Sequence, residues 1–247
     1  MLTTYYKKIQ EQLQFVFESE SGSIEKAATK ISESIQKDGI IQLFGCGHSH
    51  ILTEEVFFRA GGLAPIKPLF IEPLMLHEGA VRSSILEKLD DYVLPFMKEQ
   101  DIQPNDIVIV ISTSGINPVP IDVAIQAKEK GAFVIGLCSF NYADQTSRHK
   151  SGQLLVDVVD LAINNFAVKG DAILSYEHVD VPFSPTSTIT GAAILNAILA
   201  EAIKKMVDDG FEPPIFLSGN LSGAEEHNQF LVQKYRERIE LLTKGMD

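Results

Sequence analysis

The chain has 247 residues, 45% hydrophobic and 22% charged, a balance that excludes a disordered or fibrous protein and leaves room for one sizeable core. Its formal net charge of −12, without a basic run, argues against a nucleic-acid partner, because affinity for a phosphate backbone comes from clustered Lys and Arg. The opening MLTTYYKKIQEQLQFVFESE lacks the apolar stretch of a signal peptide and no segment approaches a membrane helix, so no membrane partner and a cytoplasmic location are expected.

Residues 1–37 read as a helical extension of two helices divided near SESGS (19–23), the second keeping Ile24, Ala27, Ala28, Ile31 and Ile35 at a helical period. DGIIQLFGCG (38–47) is a turn, a short apolar strand and a glycine loop. SHILTEEVFFRAGG (49–62) reads as a helix opened by a serine cap and closed at Gly61 or Gly62. IKPLFIEP (66–73) is a poorer strand, interrupted by Pro68 and so placed near an edge or a strand start. Residues 74–103 read as a helix plus loop.

PNDIVIVISTSG (104–115) is a turn followed by the continuous β-branched run of a strand buried on both faces. PIDVAIQAKEKG (120–131) is a helix with Pro near its first turn, AFVIGLCS (132–139) another buried strand, and LLVDVVDLAI (154–163) contains a last one, with AILSYEH (172–178) a further candidate. SPTSTITGAAILNAILAEAIKKM (184–206) opens on hydroxyls and continues apolar nearly all round, the pattern of a helix buried centrally or at a subunit interface. Residues 207–247 form a helical tail, and the whole reads as one domain. Strand, turn and helix in alternation give an α/β, three-layer, doubly wound sheet of about five strands, mainly parallel. Ligands of such sheets bind outside the carboxyl ends of the strands, where the loops after the first and third strands both lie.

GCGHSH (45–50) invites a dinucleotide reading, but that fingerprint wants a third glycine where His50 stands, and a P-loop is excluded by the missing lysine. What remains is a tight turn through Gly47 that delivers backbone amides and the hydroxyl of Ser49 to a small anion. ISTSG (111–115) supplies a second set of donors: the hydroxyls of Ser112, Thr113 and Ser114, with Gly115 permitting close backbone approach. Either loop alone is also compatible with serines and threonines that merely cap helices. Both at one sheet edge describe a monophosphate cradle. Cys46 and Cys138, without a C-x-x-C pattern, read as reduced thiols, and no cofactor is indicated. His48 and His50 alternate without a third ligand nearby, so no metal is assigned.

GCGHS, ISTSGIN and SPTSTITGAAI, in that order between about residues 24 and 206, resemble the sugar isomerase (SIS) domain family, whose members bind phosphosugars in a flavodoxin-like or Rossmann-like fold. With GHSHILTEEVFFRAGGLA and GNLSGAEEHNQFLVQKYRERI, the likeness is strongest to uncharacterised phosphosugar-binding SIS proteins that carry a phosphoheptose isomerase label. The resemblance implies that Ser49, Ser112, Ser114 and the backbone around Gly115 hold a sugar or amino-sugar phosphate, with Asn117 where many members have Thr. It also implies that Ser184 and Ser187 lie near the sugar, and that the protein is a homodimer or homotetramer with sites near the subunit boundary. True phosphoheptose isomerases carry a glutamate on the first helix, where this chain has Arg59, and Gln and His on the late helix, where it has Thr190 and Ala193.

Isomerising an aldose phosphate, or eliminating across a sugar's C2–C3 bond, needs a base beside a carbonyl and an acid to open the ring. Glu55 is one candidate, with an i,i+4 ion pair to Arg59 as the alternative. His77 and Glu78, side by side before Gly79, are others, balanced against simple solvation. His227 in the tail is a fourth, reaching the site of a neighbouring subunit. The expected function is an enzyme that isomerises, or eliminates on, a sugar or amino-sugar phosphate; the alternative is a non-catalytic phosphosugar sensor that regulates a partner protein.

Overall fold

Buried backbone needs hydrogen-bond partners, and the apolar runs of this chain find them in one another. In the computed structural model, which describes residues 1–246, the first half comprises α1 (Leu2–Gln36), β1 (Ile41–Gly45), α2 (Ser49–Glu55), β2 (Ile66–Pro68), α3 (Ala80–Leu86), α4 (Leu94–Glu99) and β3 (Ile107–Ile111). The second half comprises α5 (Pro118–Glu129), β4 (Phe133–Cys138), α6 (Leu155–Val158), β5 (Leu161–Asn164), β6 (Leu174–Tyr176), β7 (Val179–Phe183), α7 (Ser187–Asp208) and α8 (Ala224–Tyr235).

The main sheet is parallel throughout, in the order β2-β1-β3-β4-β5. Ile41 stands opposite Ile107 and Gly45 opposite Ile111, while Ile107 pairs with Phe133 and Ile111 with Leu137. The three central strands therefore finish level, and their carboxyl ends present one edge.

Alternation along each strand sends side chains to two apolar layers. Leu43, Ile109 and Ile135 pack against α1, α2 and α7; Phe44, Val108 and Val134 pack against α4, α5 and α6. Because both faces are covered, the strands read as continuous apolar runs rather than alternating ones. The tail adds a smaller cluster in which Phe216, Leu231, Tyr235 and Ile239 close over Ile40 and Ala64. Among the described residues no helix is long and apolar enough to cross a membrane.

Four local readings change. Residues 2–36 form one helix rather than two, because Val16, Glu20, Ile24 and Ala27 keep a single buried stripe straight through the serine-glycine stretch. That packing outweighs the roughly 1 kcal/mol that Gly22 costs relative to alanine. The helix from Ser49 ends at Glu55, without a serine cap bond, since the Gly61 and Ala64 amides instead donate to Phe216 and Pro214 of the tail. Within 154–163, the Asp157 carboxylate accepts from the Leu154 amide and folds a helical turn, so that β5 begins only at Leu161. Residues 174–183 form an exposed antiparallel hairpin, β6–β7, apart from the main sheet. As expected for its proline, β2 is a short edge strand. On α7 one face is buried, through Gly191, Ile194, Leu195 and Ile198, while Ile189 and Val207 are exposed in the single chain.

Candidate functional site

β1 leads outward to β2, whereas β3 leads the other way to β4 and β5. The loops after β1 and β3 consequently turn to opposite faces of the sheet and leave a crevice between them, the switch point at which open α/β sheets bind ligands. A cleft of about 250 Å³ fills that crevice. Ser49 from the first loop and Ser112, Thr113 and Ser114 from the second line it together, above Ile111.

Two glycines make this convergence possible. A Cβ on Gly45 would lie 2.6 Å from the Ser49 carbonyl carbon, so only glycine lets the start of α2 close down on β1. Gly115 takes a left-handed φ of +62° and donates its amide to Ser112 Oγ at 3.3 Å, while its carbonyl accepts from the Leu155 amide at 2.8 Å. Gly47 is anchored from below, its amide donating to the Leu74 carbonyl at 3.1 Å.

Asn117 also lines the cleft, with its amide engaged at both ends: Nδ2 donates to Glu87 Oε1 at 2.9 Å, and Oδ1 accepts from Arg148 Nη1 at 2.7 Å. Glu87 was not legible as a site residue. It is half-buried in the cleft wall, and burial pushes its carboxyl above the ordinary range, with Lys88 and Arg148 pulling it partly back. The thiol of Cys46 lines the same wall; burial, with the Glu87 charge added, pushes it far up, so it is a protonated thiol and no nucleophile.

Tyr142, Gly170 and Asp171 form the opposite wall. Asp171 is the second residue that sequence reasoning missed. Its Oδ1 accepts from the Thr186 and Ser187 amides at 3.0 Å each, and its Oδ2 from Ser187 Oγ at 2.5 Å. It thereby caps the amino terminus of α7, where a carboxylate is favoured by the helix dipole. Ser187 is accordingly tied to Asp171 behind the wall. Ser184, at φ +68°, accepts from the Ile173 amide at the base of the hairpin.

The acid-base candidates stand elsewhere. Glu55 is ion-paired with Arg59 and partly exposed. His77 and Glu78 lie in a short turn near the glycine loop, their side chains 63% and 44% exposed, with the His77 ring 6.1 Å from that of His50. His50 itself donates Nδ1 to the Gly47 carbonyl, and His48 is exposed. His227 donates Nε2 to the Ile215 carbonyl at 2.8 Å, within the tail. Within one chain, then, the hydroxyl loops come together with two unforeseen carboxyl groups, and the four foreseen acid-base groups do not line the cleft.

Comparison with known proteins agrees with this architecture. The family profile described as SIS domain matches residues 4–139. A UPF0309 protein of Halalkalibacterium halodurans is 64% identical over 248 residues, covering 100% of this chain and 99% of that one. Another UPF0309 protein, of Geobacillus kaustophilus, is 60% identical over 246 residues, covering 99% of this chain and 98% of that one. Among solved structures, a phosphoheptose isomerase from Neisseria gonorrhoeae superposes with a TM-score of 0.52 at 16% identity, over 84% of this chain and 97% of its own. The sugar isomerase domain of an RpiR transcription factor from Sphaerobacter thermophilus superposes with a TM-score of 0.50 at 12% identity, over 96% and 98%. At such identities the shared property is the fold.

Proposed function

The chain belongs to the SIS domain family, and from that premise we propose that it is a cytoplasmic enzyme acting on a sugar or amino-sugar phosphate, by aldose-ketose isomerisation or by elimination. The observation that carries this reading is the meeting of Ser49 with Ser112, Thr113 and Ser114 in one cleft at the switch point. Hydroxyls and a tight glycine backbone suit a phosphate monoester, which accepts hydrogen bonds through several oxygens at once. Gly47, Gly115 and Asn117 support the cradle by shaping its loops, Ser187 acts from the start of α7 through Asp171, and Ser184 closes the base of the hairpin that leads into that helix.

The chemistry requires a group that moves a proton beside a carbonyl. Of the foreseen candidates Glu55, His77, Glu78 and His227, none lines the cleft in one chain, whereas Glu87 does and has a carboxyl made more basic by burial. Homo-oligomerisation, as a dimer or tetramer, is part of the proposal, and the exposed β6–β7 hairpin, where Tyr176 and Val181 are each more than half exposed, offers an apolar surface for such a contact.

A second reading, a phosphosugar sensor, is favoured by that same distance of Glu55, His77, Glu78 and His227 from the cleft. Thermal-shift screening against hexose, heptose and amino-sugar phosphates tests the binding, because a ligand of the native state raises stability by mass action. NMR of any hit then separates the two: conversion lost in Glu87→Gln supports the enzyme, and tight binding with no conversion supports the sensor. Binding that survives Ser112→Ala with Ser114→Ala unchanged overturns the cradle.

A further inference from the structure

Beside the phosphate cleft lies a second space, of about 150 Å³, which shares Ser114 and Tyr142 with it. Cys138, Phe140, Leu154 and Val156 make its walls, with Ala143 at the rim. Apart from Ser114 on the boundary, the polar groups at its edge are engaged elsewhere: Ser139 Oγ donates to the Ala167 carbonyl at 2.6 Å, and the Tyr142 hydroxyl accepts from the Gly170 amide at 2.7 Å. Burial pushes the Cys138 thiol up to about 12, so it presents itself as a small apolar surface. The space is partly open, and Phe140 at its edge is 38% exposed.

An apolar space of this size accepts a group about as large as a benzene ring and gives water nothing to bond to. Core side chains do not fill it, and its continuity with the cleft through Ser114 and Tyr142 makes the neighbouring ligand the natural occupant. Building on the phosphate reading of that cleft, we infer that the ligand is a phosphorylated sugar bearing a short apolar substituent, alkyl or acyl, which seats between Phe140, Leu154 and Val156 while the phosphate is held at Ser112–Ser114. The pocket then sets specificity: it rewards added carbon and offers no partner to an added charge or hydroxyl.

Calorimetric titration of the full chain with inorganic phosphate, then ethyl, butyl and hexyl phosphate, tests this without assuming where the substituent is attached. Glucosamine 6-phosphate and its N-butanoyl derivative repeat the comparison on a sugar. The expected result is a gain of about fourfold per buried CH₂ until the space is full, and a tighter fit for the acylated sugar. Ala143→Phe, which fills the rim, flattens both gains while inorganic phosphate affinity stays within about twofold; Phe140→Ser, a milder change at the mouth, shallows the slope. If inorganic phosphate binds but the wild-type alkyl series is flat, the inference is wrong. A slope that persists in Ala143→Phe, or a gain confined to the alkyl phosphates and absent from the sugars, also overturns it. Failure of inorganic phosphate and every ester to bind is a different outcome, which removes the cradle and this pocket's role with it.

Discussion

The two ends of the central sheet hold polar clusters of opposite character. At the amino end the Asp106 side chain is wholly buried, and donors surround it: the Ile40 and Gln103 amides, Gln42 Nε2, and both Nη1 and Nη2 of Arg238. At the carboxyl end Glu87 accepts from Asn117 alone among side chains bonded to it, and it borders an open cleft ringed by hydroxyls. A carboxylate saturated by its own fold is a structural rivet. A carboxyl left partly unsatisfied beside a void, with its acidity weakened, is available to a ligand.

The largest test breaks the rivet. Asp106→Ala leaves the Ile40 and Gln103 amides without their acceptor and strips Arg238 of its buried partner, leaving the guanidinium only Asp101, and removal of one partner of a buried pair costs about 3–5 kcal/mol. The urea midpoint falls accordingly, while sugar-phosphate affinity of the folded protein is unchanged. A stability loss below about 1 kcal/mol puts Asp106 among ordinary surface acids and ends the contrast.

Next in size is the cradle itself. Ser112→Ala with Ser114→Ala removes hydrogen bonds to a charged ligand, each worth about 1.5–3 kcal/mol, so titration should show sugar-phosphate binding weakened at least about tenfold. The urea midpoint moves little, the reverse of the pattern at Asp106.

Glu87 gives a pH signature. Because its folded pKa is raised, the native state binds more protons than the unfolded chain, so its contribution to stability is fully present below the unfolded value near 4.3 and is lost as pH rises through the folded value. Wild type should therefore lose stability relative to Glu87→Gln as urea midpoints are followed upward from about pH 4. Parallel curves for the two proteins contradict the burial of this carboxyl.

The smallest change belongs to neither end. Gly22 sits within α1 with nothing within 4 Å of a Cβ, so Gly22→Ala should stabilise the fold by about 0.5–1 kcal/mol and leave ligand binding alone. It sets the noise level against which both clusters are judged.

Much of the fold was legible because the central strands are buried on both faces, which leaves runs such as IVIVI unmistakable. The hydroxyl loops were legible for a related reason: each directly follows such a strand, so strand position fixes loop position. Glu87 and Asp171 were not, since each earns its place by a contact 30 and 16 positions away, with Asn117 and Ser187, that no local pattern records. The early end of α2 was hidden for the same cause, its following amides being claimed by residues 214 and 216. Asp157 misled in the opposite direction: β-branched neighbours suggested a strand, and one side-chain bond to Leu154 turned the segment helical.

The unbroken α1 has a consequence in time. Its 35 residues extend about 52 Å, against about 17 Å for the five of β1, and its buried positions run only from Gln12 to Ile35, so the first turns lie beyond the core. Ala27, Ala28, Ile31 and Ile35 are sealed in the core, whereas Leu2 and Tyr6 face solvent, with Tyr5 between them donating its hydroxyl to the Pro185 carbonyl. Hydrogen exchange along this one helix should form a gradient, from amides that open only when the whole molecule unfolds to amides released by fraying of the first turns. A single element thus spans the slowest and the fastest motions of the backbone.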